Sequence, residues 1–248
     1  MLLARLCFAR ARAVICNSEY LARAMAPYTR GKMVSIAHNP CTVPDPTFFG
    51  QEVPEFPDGG FRLLTVTNMN LRSKIQPLAE AISDWIPPEL WEEMDLRWVI
   101  CGSGSHEARL RALVRERGLD DRVRLLGRVE NVPAAYEWCS VLVHPTRMDA
   151  FPNVPMEAMA HCKPVITNAD SCGTREQVFD GENGFVVEDA GSFLAALRAY
   201  AADPKLREHH GRVGKLLVER EFSVEAQRRA MRRALERVVS RTRGGVKV

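Results

Sequence analysis

The sequence predicts a doubly wound α/β domain built on a parallel sheet, and two observations predict it. From about residue 61, short runs rich in β-branched residues alternate with longer segments whose apolar positions recur at helical spacing. The short runs are apolar throughout instead of alternating with polar residues, the pattern of strands covered on both faces by helices.

The elements follow in order. Residues 1–58 hold a helix, a strand candidate RAVICNS, a second helix and the strand MVSIAHN. A Pro/Gly-rich stretch, VPDPTFFGQEVPEFPDGG, then resembles an inter-domain connection. FRLLTVTN opens the main unit as a strand, TNMNLRSKI is a polar loop, and a helix runs through PLAEAISDWI. LRWVICG is the next strand, and SHEARLRALVRERG carries Ala108, Leu110, Leu113 and Val114 at helical spacing. VRLLGRV, a short helix around AAYEW, VLVHP, a helix over 153–161 and PVITN continue the alternation. Near the end, Ser223 is a candidate N-cap for a helix with Val224, Met231, Leu235 and Val238 on one face and Gly244 as its stop.

Composition narrows the partners. The 248 residues are 46% hydrophobic and carry a net charge of +3, too little to imply nucleic acid. The seven cysteines contain no C-x-x-C pair, and Cys101, Cys139 and Cys162 fall in apolar stretches. A reducing compartment without a disulfide framework is expected. Arg5, Arg10 and Arg12 interrupt the apolar N-terminus, so no signal-peptide core forms there, and no stretch reaches spanning length. The expected location is the cytosol or the inner membrane surface.

Ligands of open α/β sheets bind beyond the carboxyl ends of the strands. Three such ends carry candidate chemistry. In CGSGSHEARL, Gly102 and Gly104 permit either a tight βα turn or close approach of a ligand. Glu107 breaks the dinucleotide fingerprint, and no Walker A motif occurs. In TNMNLRSKI, Arg72 and Lys74 could meet phosphate or simply be solvated. In MDAFPNVPMEAMAHCKPVI, Asn153 would cap a helix with Pro155 in its first turn, leaving N–H groups near 151–154 free for an anion. Asp149 and Glu157 there are either active-site carboxylates or complements of the helix dipole. His144 and His161 sit in apolar contexts as satisfied core groups, and His209 and His210 in a charged helix as surface residues. No metal-ligand spacing occurs.

Three long segments carry a resemblance: VICGSGSHEARLRALVRERGLDDRVRLLGRV, then VLVHPTRMDAFPNVPMEAMAHCKPVITNADSCGTREQV, then DGENGFVV. Over about 61–243 the chain resembles the C-terminal, donor-binding domain of family 4 glycosyltransferases, which is one Rossmann-like half of a GT-B fold. The family's pair of glutamates, with seven residues between them and Gly-Phe-Pro after the first, is matched here by Asp149, Ala150, Phe151, Pro152 and Glu157.

The resemblance implies transfer of a sugar from a nucleotide-sugar donor (UDP- or GDP-linked) to a glycan or lipid-linked acceptor, with retention and without a bound metal or cofactor. It places Glu157 on the donor ribose, and Phe151, Pro152 and Asn153 as a loop and helix start presenting N–H groups to sugar and diphosphate. Arg128 and Val129 lie beside the base, Lys74 neutralises the leaving diphosphate, and Asp149 takes the position nearest the sugar. It implies polysaccharide biosynthesis as the setting.

Two substitutions depart from that pattern. Asp149 is one methylene shorter than glutamate, and Asn68 stands where an arginine usually binds phosphate, with Arg72 or Lys74 as compensation. The resemblance further divides the chain into a remnant of an acceptor-side domain and linker over 1–58, a donor domain over 59–221 and a crossover helix over 222–248. It implies that a partner polypeptide supplies the rest of the acceptor side, and that the Val224, Met231, Leu235 and Val238 face is exposed. Other readings are a non-catalytic nucleotide-sugar-binding subunit and a GT-B-type epimerase.

Overall fold

The computed structural model describes residues 8, 10–42 and 55–243. Six strands form one all-parallel sheet: β3 (Phe61–Val66), β4 (Leu96–Cys101), β5 (Val123–Gly127), β6 (Val141–His144), β7 (Val165–Asn168) and β8 (Gly184–Val187). Their spatial order is β5-β4-β3-β6-β7-β8. A smaller parallel pair, β1 (Ala13–Cys16) and β2 (Met33–Ile36), is joined through α1 (Glu19–Met25).

The helices of the larger unit are α2 (Arg72–Glu80), continued by a π-helical turn at Ala81–Trp85, then α3 (Pro88–Glu93), α4 (Glu107–Glu116) and α5 (Val132–Trp138). They are followed by α6 (Asn153–Ala160), a 3₁₀ turn at Cys172–Glu176, α7 (Ala190–Ala202), α8 (Pro204–Glu221) and α9 (Val224–Arg243).

The sheet has a core on each face, which is why its strands are apolar without alternation. Leu63, Trp98, Val141 and Val143 belong to one cluster with Phe193 and Leu197 of α7. Their chain neighbours Leu64, Val99 and Leu142 belong to the other, with Met156 and Met159 of α6 and Val218 of α8. The doubly wound sheet expected from the sequence is therefore the one that forms. Its chain leaves β3 toward β4 and β5, then returns to place β6 on the other side of β3. That reversal opens a crevice beyond the carboxyl ends of β3 and β6, the usual ligand position in such sheets.

Several local expectations need correction. Arg72 and Lys74 lie in the first turn of α2 and not in a loop, because the Leu71 carbonyl accepts from the Lys74 and Ile75 N–H groups (3.0 and 3.2 Å). Pro77, inside α2, has no N–H to give Ser73, and the Ser73 carbonyl instead accepts from the Arg147 N–H at 3.0 Å. The proline thereby ties the loop after β6 to α2. The N-cap of α6 is Pro152 and not Asn153, with no side chain capping the helix; Pro155 is in its first turn as expected.

His210 is buried and not a surface residue, its Nδ1 2.8 Å from the Tyr200 hydroxyl. β8, α3 and α7 stand beyond the elements expected. The Ser223 cap forms, accepting from the Ala226 N–H at 3.2 Å, whereas Gly244, the N-terminal helix and residues 43–54 of the connecting stretch fall outside the described residues.

The smaller unit is docked on the larger by polar and aromatic contacts. The Glu176 carboxylate accepts from the Glu19 and Tyr20 N–H groups, at 2.8 and 2.7 Å, and so caps α1 from outside. His38 stacks on Phe151 at 4.6 Å between centroids, and Asn39 Nδ2 donates to the Phe151 carbonyl at 3.3 Å. α9 buries Ala234 and exposes Val224, Met231, Leu235 and Val239. Val239 thus joins the expected apolar face, while Val238 is half-buried.

Candidate functional site

Two loops are laced together at the mouth of the crevice. The Met69 N–H donates to the Ser103 carbonyl, the His106 N–H to the Met69 carbonyl and the Ser105 N–H to Asn70 Oδ1, all at 2.9–3.1 Å. The two glycines make this lacing possible. A Cβ on Gly102 would lie 1.8 Å from the Thr67 carbonyl oxygen, and one on Gly104 2.4 Å from the Met69 carbonyl carbon. Of the two readings left open for these glycines, the close approach observed is to the chain's own 67–70 loop. Asn68 is exposed, and its Oδ1 accepts from the Asn70 N–H at 2.9 Å, shaping the same turn.

Below that mouth, Lys74 on α2 reaches across the crevice. Its Nζ lies 2.6 Å from Asp149 Oδ2, with both side chains less than a fifth exposed (18% and 19%). His144, at the end of β6, is buried, and burial foremost, helped by the Lys74 charge, lowers its pKa to about 4. It is therefore neutral at pH 7. Its Nε2 has no hydrogen-bond partner, and Thr146 Oγ1, Ser171 Oγ, Thr174 Oγ1 and Gln177 Oε1 are likewise buried without one. His144 is thus a core residue as expected, but not a satisfied one. These atoms end or follow β6, follow β7 or belong to the adjoining 3₁₀ region, which leaves unspent hydrogen-bonding capacity beside the crevice.

The loop from Asp149 to α6 is fixed by its backbone. The Asp149 carbonyl accepts from the Gly173 N–H at 2.9 Å, and the Pro152 carbonyl from Gln177 Nε2 at 2.8 Å. Pro152 has no N–H to offer, so an anion at the start of α6 would meet the N–H groups of its non-proline neighbours. The Phe151 ring is buried between His38 and Phe222, with its ring 5.4 Å from that of Phe222. Its contribution to the crevice is backbone. Asn153 is exposed at the first helical position.

Glu157 lies half-buried on the second turn of α6, and its Oε2 accepts from the Tyr136 hydroxyl at 2.7 Å. Burial, then the charge of Glu157, raises the Cys41 thiol to about 11.

The remaining candidates are dispersed. Arg72 is exposed and lines a groove between α2 and α4 with His106 and Arg109, on another side of the helix from Lys74. Arg128 is exposed and Val129 half-buried after β5, with Val129 packed against the cluster that holds Leu64, Val99 and Met156. Tyr136, Arg147 and Gln177 were not singled out by sequence. Arg147 pairs with both oxygens of Glu80 at 3.1 and 2.8 Å, and the only sequence signal for Tyr136 was a phenol in a short apolar helix. Among the described residues, no group of three or more His, Cys, Asp or Glu side chains could hold a metal ion. Among them, also, no helix is long and apolar enough to cross a membrane.

Comparison with known proteins places this architecture. A family model described as "Glycosyl transferases group 1" matches residues 51–236. The lipopolysaccharide core biosynthesis mannosyltransferase LpcC of Rhizobium leguminosarum bv. viciae is 33% identical over 125 residues, which cover 50% of this chain and 35% of that protein. The match thus spans about a third of that relative's length. Sucrose-phosphate synthase from Thermosynechococcus elongatus superposes with a TM-score of 0.76 at 23% identity, over 96% of this chain and 61% of its own. Anabaena HepE in complex with UDP and glucose gives the same TM-score, 0.76, at 17% identity, over 95% of this chain and 66% of its own. At these identities the structural likeness is one of fold.

Proposed function

The chain belongs to the glycosyl transferases group 1 family, and from that membership we propose that it is the donor-binding part of a family 4-type glycosyltransferase. The reaction is transfer of a sugar from a nucleoside-diphosphate sugar to a hydroxyl acceptor, with retention at the anomeric carbon and no metal. The bond from the anomeric carbon to the diphosphate breaks, a bond to the acceptor oxygen forms, and the acceptor proton leaves with the diphosphate.

The observation that carries this reading is the meeting of Lys74 and Asp149 across the crevice between β3 and β6, at 2.6 Å, four residues before the uncapped start of α6. A cation and free N–H groups there suit a leaving group whose charge grows as the bond breaks. In this reading Lys74 meets the diphosphate, Glu157 the ribose, Arg128 and Val129 the base, and the N–H groups around Phe151 and Asn153 the sugar and diphosphate. Gly102, Gly104 and Asn68 shape the loop around it, and Arg72 adds positive charge at its edge. Residues 1–58 form an acceptor-side remnant and linker, 59–221 the donor domain and 222–248 a crossover helix. A partner polypeptide supplying further acceptor surface, and a site of action in the cytoplasm at the membrane surface, belong to the same proposal.

A second reading, a nucleotide-sugar-binding subunit without transfer activity, is favoured by one observation. Asp149, nearest the chemistry, is engaged by Lys74 and is shorter than the glutamate it replaces.

Calorimetry with UDP, GDP and ADP, each with and without sugar, tests both. Binding of one diphosphate is expected, with Glu157→Ala weakening diphosphate and free nucleoside alike and Lys74→Ala weakening the diphosphate alone. Absence of binding to every donor in a broad panel would sink both readings. Sugar transfer by the isolated chain would reject the second.

A further inference from the structure

We propose that Tyr136 is the positioning residue that sets Glu157 to receive the vicinal hydroxyls of a ribose, an inference that rests on the donor-site reading above. Glu157 sits on α6 and Tyr136 on α5, separated by 21 residues, and the two meet through one hydrogen bond, from the phenol to Oε2 at 2.7 Å. The phenol is fixed on its own account. It is 2% exposed, and its ring is stacked on His161 at 5.4 Å, with His161 Nδ1 held 2.6 Å from Glu137. Burial, then the Glu157 charge, raises its pKa well above the ordinary range, so the proton stays on the phenol and the phenol stays a donor.

A glutamate on a helix surface has three rotatable bonds, and ordering it costs free energy that a ligand must supply. The Tyr136 bond meets part of that ordering cost before any ligand arrives. It also fixes the direction of the carboxylate. An ionised carboxylate has about four acceptor directions, and a single donor to Oε2 leaves Oε1 wholly free. Two neighbouring hydroxyls of one sugar, spaced to reach a single carboxylate, match what remains.

The test compares two ligands on one protein. Affinity is measured for whichever of UDP, GDP or ADP the wild type binds, and for its 2′,3′-dideoxy counterpart, in wild type, Tyr136→Phe, Glu157→Ala and the double variant. Wild type should prefer the ribonucleotide, and Tyr136→Phe should cut that preference about fivefold, the scale of one charge-assisted hydrogen bond. Because the ratio is taken on the same folded molecules, a smaller folded fraction cancels from it. In the Glu157→Ala background, which leaves the phenol no acceptor at this position, the added Tyr136→Phe change should leave the ratio where it is, since the phenol acts through the carboxylate. An unchanged ratio in Tyr136→Phe, or an equal further loss in the double variant, would overturn the positioning role while leaving the donor site intact. A wild type that binds no nucleotide overturns the donor-site reading itself, and the ribose role with it.

Discussion

Lys74 Nζ stands 2.6 Å from Asp149 Oδ2 across the point where the strand order reverses, so the cation and the carboxylate at this crevice are each other's partners. A diphosphate arriving at Lys74 would bring negative charge beside Asp149, and two anions a few ångströms apart repel. Asp149→Asn should therefore tighten nucleoside-diphosphate binding, by about three- to tenfold for a partly screened pair. The gain should shrink as salt is raised, and sugar transfer, where present, should fall. Titration at two ionic strengths reads it. Weaker binding in Asp149→Asn would show that the carboxylate holds the ligand more than it opposes it.

Much of this arrangement was legible because strand ends declare themselves. β3, β4, β6 and β7 are short apolar runs, and the turns that follow carry the glycines, cations and carboxylates from which the crevice is built. The start of α2 was hidden by its chemistry: Leu71 offers no capping side chain, and Pro77 follows five residues after Arg72. The inward face of α8 was hidden for another reason. Its buried positions include His210, Gly211 and Gly214, which no apolar periodicity reports. The pairing of Tyr136 with Glu157 and of Asn39 with Phe151, 21 and 112 residues apart, leaves no local trace at all.

His144 makes stability depend on pH. Its folded pKa, about 4, is below the ordinary 6.5, so between these values the unfolded chain binds the extra proton. The contribution is complete above pH 6.5 and is lost as pH falls toward 4. Relative to His144→Asn, wild type should lose about 2.5 kcal/mol of stability between pH 7 and pH 4.5. Urea unfolding of both proteins across that range measures the difference. Parallel curves would mean that His144 is as easily protonated in the folded chain as in the unfolded one.

Glu176 joins the two units by capping α1 through the Glu19 and Tyr20 N–H groups. Glu176→Ala leaves both donors to water and removes a charge from a helix start, a cost of about 1–2 kcal/mol. That cost should be local. Hydrogen exchange should rise at the amides of Glu19 and Tyr20 while those of β3, β4 and β6 keep their protection. Uniformly faster exchange across the sheet would place Glu176 in the global core of stability instead.

Gly211 sets how closely α8 can approach the end of α6. A Cβ there would lie 1.9 Å from the Cys162 carbonyl oxygen and 2.6 Å from its carbon, both backbone atoms that cannot turn aside. Gly211→Ala must separate the helices, and overpacking of this kind costs about 2–3 kcal/mol. Gly214, one turn on, meets only the side chain of Met159, nearest atom 2.8 Å, and a methionine can change rotamer. Gly214→Ala should cost about 1 kcal/mol. Because α6 also carries Glu157, the first variant should weaken nucleotide binding as well as stability, and the second should leave binding nearly unchanged. Equal effects of the two on both readouts would show that the backbone contact at Cys162 does not fix the position of α6.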